Sequence, residues 1–128
     1  MKKVVSILVI VLAFTINAQA QDKMMKQPVK KIALEQTTGE FTQKAITVSE
    51  GTYIFDVLNN NVGKDVGLVL VPKGKDASKP ENHIQNAYVA SAVKNNTTGH
   101  SKATTLVKGE YVYFCPLNPT PQYSLIVL

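Results

Sequence analysis

The stretch "GEYVYFCPLNPTPQY", Gly109 to Tyr123, carries the one cysteine of the chain. Side chains of a strand alternate between its two faces, so Tyr111, Tyr113 and Cys115 share one face and Val112 and Phe114 the other. With the tyrosine face turned to the core, the thiol points inward at the end of the domain. Pro116, Pro119 and Pro121 follow at once. Each fixes its own φ and removes a backbone donor, so the loop is short and stiff. "YSLIVL" (123–128) then reads as a last strand running to the end of the sequence.

Upstream, the same period-two pattern recurs. "KIALE" (31–35) sets Ile32 and Leu34 on one face, "AITV" (45–48) is short and β-branched, and "TYIFDVLN" (52–59) aligns Tyr53, Phe55 and Val57. The turn "SEG" separates the last two, and "NNNVG" (59–63) is a loop of residues that tolerate unusual backbone angles. "VGLVLV" (66–71) is a continuous apolar run, as expected of a well-buried strand. "SKATTLV" (101–107) and "EYVYFC" (110–115) read as a hairpin about Lys108-Gly109. Between "VGLVLV" and this pair, "NHIQNAYVASAVKN" (82–95) spaces Ile84, Ala87, Tyr88, Ser91 and Ala92 as a helix would, with Asn82 as its cap. The pattern predicts an all-β, Greek-key β-sandwich of about seven strands with one short helical insertion.

The N-terminus has the form of a secretory signal. Lys2 and Lys3 precede an apolar run, Val4 to Ile16, and "AQA" (18–20) offers small residues to a signal peptidase. The expected organisation is a signal peptide over 1–20, cleaved near Ala20, a flexible leader over 21–30 and one domain over 31–128. The run is short for a membrane span, and no second run follows, so the mature chain is expected to have none. The expected location is periplasmic or secreted. There, a single unpaired thiol is a hazard unless it is buried, bound to metal or catalytic. The mature chain holds 12 lysines, no arginine and 9 acidic residues. Its scattered lysines lack the clustering of a nucleic-acid-binding surface, so no nucleic-acid partner is expected.

Several segments together resemble a known family. "AITVSEGTYIFDVLNNNVG" is similar to the strand, glycine turn, strand and Asn-containing loop of the cupredoxins, the plastocyanin- and amicyanin-like blue copper domains. "VKGEYVYFC" resembles their Gly-x-Tyr-x-aromatic-x-Cys strand, and the spacing after Cys115 resembles their short amicyanin-type loop. The resemblance covers roughly Lys31 to Leu128. It implies single-electron transfer at one copper held by two imidazoles and a thiolate, with a long axial ligand that is often Met.

Carried over residue by residue, the resemblance sets the cysteine on Cys115 and the first histidine on Val66, or on Asp65 if the loop shifts by one. It sets the second histidine on Asn118 and the axial methionine on Pro121. Valine and proline side chains offer no lone pair, and an amide oxygen is a poor partner for Cu(I). The candidate metal residues are therefore Cys115, His100, which opens the strand after "NNTTG" and is expected at the Cys115 end, and Asn118. His83, Met24 and Met25 need no metal to explain them.

The expected function is that of a small exported cupredoxin-like protein with a degenerate blue-copper site, acting as a binding or interaction domain or as an atypical metal binder. The alternative is a copper-binding electron-transfer protein using Cys115 with non-standard ligands. Copper is the cofactor at issue. The expected partner is a periplasmic or extracellular protein, a redox partner if copper is bound. A catalytic thiol is a third class with no supporting spacing, so no enzyme is expected.

Overall fold

The computed structural model describes residues 28–128. The proposed signal peptide, its cleavage site, most of the leader, Met24 and Met25 lie outside the described residues. Among the described residues nine strands form: β1 (Val29–Thr37), β2 (Glu40–Phe41), β3 (Ala45–Val48), β4 (Gly51–Asn59), β5 (Val69–Pro72), β6 (Thr98–His100), β7 (Thr104–Leu106), β8 (Gly109–Phe114) and β9 (Tyr123–Val127). One sheet runs β2-β1-β4-β6, with β7 also on β4; the other runs β3-β9-β8-β5. Pairings β1–β4 and β3–β9 are parallel and the rest antiparallel. The all-β sandwich expected from the alternation is the observed architecture. The count exceeds seven because β2 is a two-residue arm and the region after residue 97 divides into β6 and β7. β1 also starts at Val29, so Val29 and Lys30, read as the end of the leader, belong to a strand.

The core follows the period-two rows. Ile32 and Leu34 of β1, Tyr53, Phe55 and Val57 of β4, Leu70 of β5, Tyr111 and Tyr113 of β8, and Leu125 and Val127 of β9 are all buried. Phe41 closes one flank edge-on to Tyr113, with ring centroids 5.1 Å apart. Burial of these apolar faces is the main term holding the two sheets together.

Two local expectations fail. The helix expected over 82–95 does not form; the segment holds one 3₁₀ turn, Gln85–Ala87, and the last residue of another, Pro80–Asn82. Several of its backbone groups bond to residues distant in sequence instead. Ile84 N–H donates to Leu70 O, Ala90 N–H to His100 O, and Val93 exchanges two bonds with Val66. Tertiary partners thus take the groups that an i→i−4 ladder would use, overriding a weak local propensity.

The hairpin about Lys108-Gly109 also does not form. β7 pairs with β4 and β8 with β5 and β9, so residues 107–108 carry the chain from one sheet to the other. The Tyr111 hydroxyl donates to Val107 O at 2.8 Å across this crossing. Another crossing, between β3 and β4, has the same device: the Tyr53 hydroxyl donates to Ser49 O at 2.7 Å. This is the logic of a tyrosine corner. β6 fits under the 82–97 segment because residue 99 is glycine; a Cβ there would lie 2.5 Å from Val93 Cγ2.

Candidate functional site

Three inward-facing rows end in polar atoms at the same end of the sandwich. Gln36 ends the row of Ile32 and Leu34. Asn59 ends the row of Tyr53, Phe55 and Val57. Cys115 follows Tyr111 and Tyr113. Gln36 and Asn59 are register partners on β1 and β4. All three side chains are buried. A buried polar group is costly without partners, so the position of each is set by what it bonds.

The Cys115 sulfur accepts two backbone N–H groups, from Gly67 at 3.3 Å and from Asn118 at 3.2 Å. The thiol is 1% exposed, as expected from the strand's alternation. Val66, next to Gly67, is fully buried, whereas Asp65 is exposed. The loop after Cys115 closes on itself. Cys115 N–H donates to Thr120 Oγ1 at 3.1 Å, and Thr120 N–H returns to Cys115 O at 3.4 Å. Prolines at 116, 119 and 121 remove three backbone donors from this loop, so none of those nitrogens needs an acceptor. The Pro121 side chain is exposed.

Asn118 is 1% exposed and fully engaged. Its Nδ2 donates to Gln36 Oε1 at 3.0 Å and to Thr37 O at 2.9 Å. Its Oδ1 accepts Gly39 N–H at 2.7 Å. Gly39 sits at φ +77 in the turn between β1 and β2, a conformation glycine enters without strain. Gln36 Nε2 donates to Gly67 O at 2.8 Å. Asn59 does the corresponding work on the neighbouring loop: Nδ2 donates to Lys64 O and Val93 O, and Oδ1 accepts Val62 N–H.

Of the three candidate metal residues, the structure brings Cys115 and Asn118 together and leaves His100 apart. His100 pairs with Asp56 across β4 and β6, on the outer face of its sheet. Its Nδ1 lies 2.6 Å from Asp56 Oδ1, with Lys31 Nζ 3.6 Å from the other carboxylate oxygen. The expectation that His100 approaches the thiol fails because its place in the ladder turns it the other way: Asp56 alternates with the buried Phe55 and Val57. His83 is also committed. Nε2 bonds Ala77 O at 2.7 Å, and since a carbonyl only accepts, this nitrogen carries a proton; Nδ1 and the Tyr88 hydroxyl share a hydrogen bond at 2.6 Å. The imidazole packs edge-on over Phe114, so the insertion segment partly covers that outward ring. Among the described residues, no group of three or more His, Cys, Asp or Glu converges as a metal site would require.

Gln36 and Asn59 escaped the sequence reading. Their signal was the continuing alternation, Ile-x-Leu-x-Gln and Tyr-x-Phe-x-Val-x-Asn, which places a carboxamide on the core side at the same end of two paired strands. Beside the loop lies an open, mainly apolar pocket of about 420 Å³, walled by Leu68, Val69, Tyr88, Val89, Pro116 and Leu117.

No family model matches the chain, and no curated protein matches it. Solved structures do. Auracyanin B is similar over 80% of this chain and 91% of its own, at 17% identity and a TM-score of 0.61. Auracyanin A, a "blue" copper protein from Chloroflexus aurantiacus, is similar over 79% of this chain and its full length, at 20% identity and a TM-score of 0.54. Dithionite-reduced auracyanin from Roseiflexus castenholzii matches 77% of this chain and 97% of its own, at 15% identity and a TM-score of 0.60. At these identities the likeness establishes the fold, and the fold is the cupredoxin β-sandwich.

Proposed function

We propose that this chain is an exported cupredoxin-fold domain with a degenerate copper site, which acts as a binding or interaction domain and not as an enzyme or a redox carrier. The observation that carries this reading is the state of Asn118. It stands three residues after the cysteine, bonds the sulfur through its backbone N–H, and has its side-chain amide committed to Gln36, Thr37 and Gly39. The donor set does not fit a mononuclear copper, which needs two imidazoles beside the thiolate. The residue next to the sulfur-bonding Gly67 is the apolar Val66, and both described histidines are tied up elsewhere. The apolar pocket against Pro116 and Leu117 supports the binding half of the reading. The secretory form of residues 1–20 supports export.

Copper titration of the mature domain tests the proposal. The expected result is no intense visible thiolate-to-copper absorption and no gain in thermal stability, because a ligand that binds only the native state must raise it. A strong band abolished by Cys115→Ala would overturn the proposal. The assignment of ligand positions has a separate test: Val66→His, Asn118→His and Pro121→Met together are expected to create copper binding. A folded triple variant with the parent's copper affinity would show those positions to be misplaced.

A further inference from the structure

Hydrogen bonds join three segments beside the Cys115 sulfur: the end of β1 at Gln36, residues 66–68 before β5, and the 115–120 loop. Gln36 bridges the second and third. Its Nε2 donates to Gly67 O at 2.8 Å, and its Oε1 accepts Asn118 Nδ2 at 3.0 Å. Gly67 and Asn118 are the same two residues whose N–H groups bond the sulfur. The hydrogen bonds therefore form a closed ring: Gln36 side chain, Gly67, Cys115 sulfur, Asn118, and back to Gln36. The thiol and the carboxamide stand opposite each other in it, both within 1% of complete burial.

A carboxamide suits this task because it donates and accepts at once, so one side chain spans a carbonyl and an amide without leaving either unpaired. Partly satisfied buried networks are costly, so loss of one member weakens the others. The bonds of Asn118 to Thr37 O and Gly39 N–H then hold its amide toward the β1–β2 turn and away from the sulfur.

We infer that Gln36 is the strap of this ring: a positioning residue that keeps the 115–120 loop shut over the Cys115 thiol and so closes the site to thiol reagents and soft metal ions. The inference deepens the reading of a degenerate copper site and rests on it. The strap acts from β1, a strand on which the sequence places no metal-ligand candidate.

The experiment compares the mature protein with Gln36→Met, which keeps side-chain length and removes the amide, and with Leu106→Ala, a buried core variant paired to Gly51 at the opposite end of β4 from Asn59. Labelling of Cys115 by a bulky aromatic disulfide is followed in native buffer, and Cd(II) is added as the metal probe with thiolate-to-cadmium absorption as the signal. Global stability is measured by urea unfolding. The parent is expected to label slowly and give no cadmium band. Gln36→Met is expected to label at least about tenfold faster than Leu106→Ala at matched global stability, a factor equal to about 1.4 kcal/mol of easier local opening, and to gain a cadmium band. If both variants fall on one line of labelling rate against global stability, the strap is overturned. If Gln36→Met does not fold, Asn118→Ser breaks the same ring from the loop side. Labelling of Asn118→Ser on the Leu106→Ala line would overturn the inference equally. Failure of the underlying reading is a different result: a copper band in the unmodified parent, whatever the Gln36 variant does.

Discussion

At one end of the sandwich, Tyr53 and Tyr111 each send a hydroxyl to the carbonyl four residues upstream, and Glu50 accepts Lys108 N–H to join the β3–β4 and β7–β8 crossings. At the other end, Gln36, Asn59, Asn118 and the Cys115 sulfur bond to several loops. The tyrosine end pins each crossing with one donor whose ring packs in the core. The carboxamide end uses groups with two donor hydrogens and an acceptor, so each side chain joins two or three segments. One end is a pair of local fasteners and the other a shared network. Loss of one member should therefore cost little at the first end and much at the second.

Asn118→Ala tests the difference most strongly. It leaves Gly39 N–H, Thr37 O and Gln36 Oε1 without their partner in a buried place, so urea unfolding is expected to show a loss of about 3 kcal/mol. Equality with a single tyrosine hydroxyl deletion would remove the distinction between the ends. Tyr111→Phe deletes one hydroxyl and is expected to cost about 1 kcal/mol. The two losses are expected to add within about 0.5 kcal/mol in the double variant, because the sites share no partner. A larger coupling would mean the ends communicate through the core.

Alkaline titration probes the core between them. Burial pushes the Tyr113 phenol up to about 12, and negative charge on the neighbouring Tyr123 adds to the rise. Its hydroxyl donates to Gln43 O at 2.6 Å. The unfolded chain loses this proton near pH 10 and the folded one only near pH 12. Stability is thus fully present below about pH 10 and falls between about 10 and 12, a loss that Tyr113→Phe should reduce. Thermal unfolding across that range reads it directly. The smallest effect is expected at His100. Its pair with Asp56 is on the outer face, and His100→Ala should change stability by less than about 0.5 kcal/mol without altering Cys115 labelling.

The fold was legible wherever one strand face is wholly apolar. The rows at 32–34, 53–57 and 111–113 identify strand, inward face and the depth of Cys115 together, because side chains alternate and only one face meets the other sheet. The segment 82–95 was misread because its helical spacing is real while its backbone partners, Leu70, His100 and Val66, are distant in sequence. The turn at 108–109 marks a change of direction but carries no information about which sheet receives the next strand. His100 shows the same limit: its residue type suggested a ligand, and its register against Asp56 turned it outward.

The sequence by itself determined the β-sandwich, the inward thiol and the absence of histidine from positions 66 and 118. Alternation, proline positions and side-chain chemistry are local properties that need no knowledge of neighbours. Only the tertiary structure decided what surrounds the sulfur. Gln36 and Asn118 are 82 positions apart, and nothing in either residue's own segment specifies that they bond. Closing the sandwich buries both amides at the same end, and the cost of leaving a buried polar group unpaired then joins them.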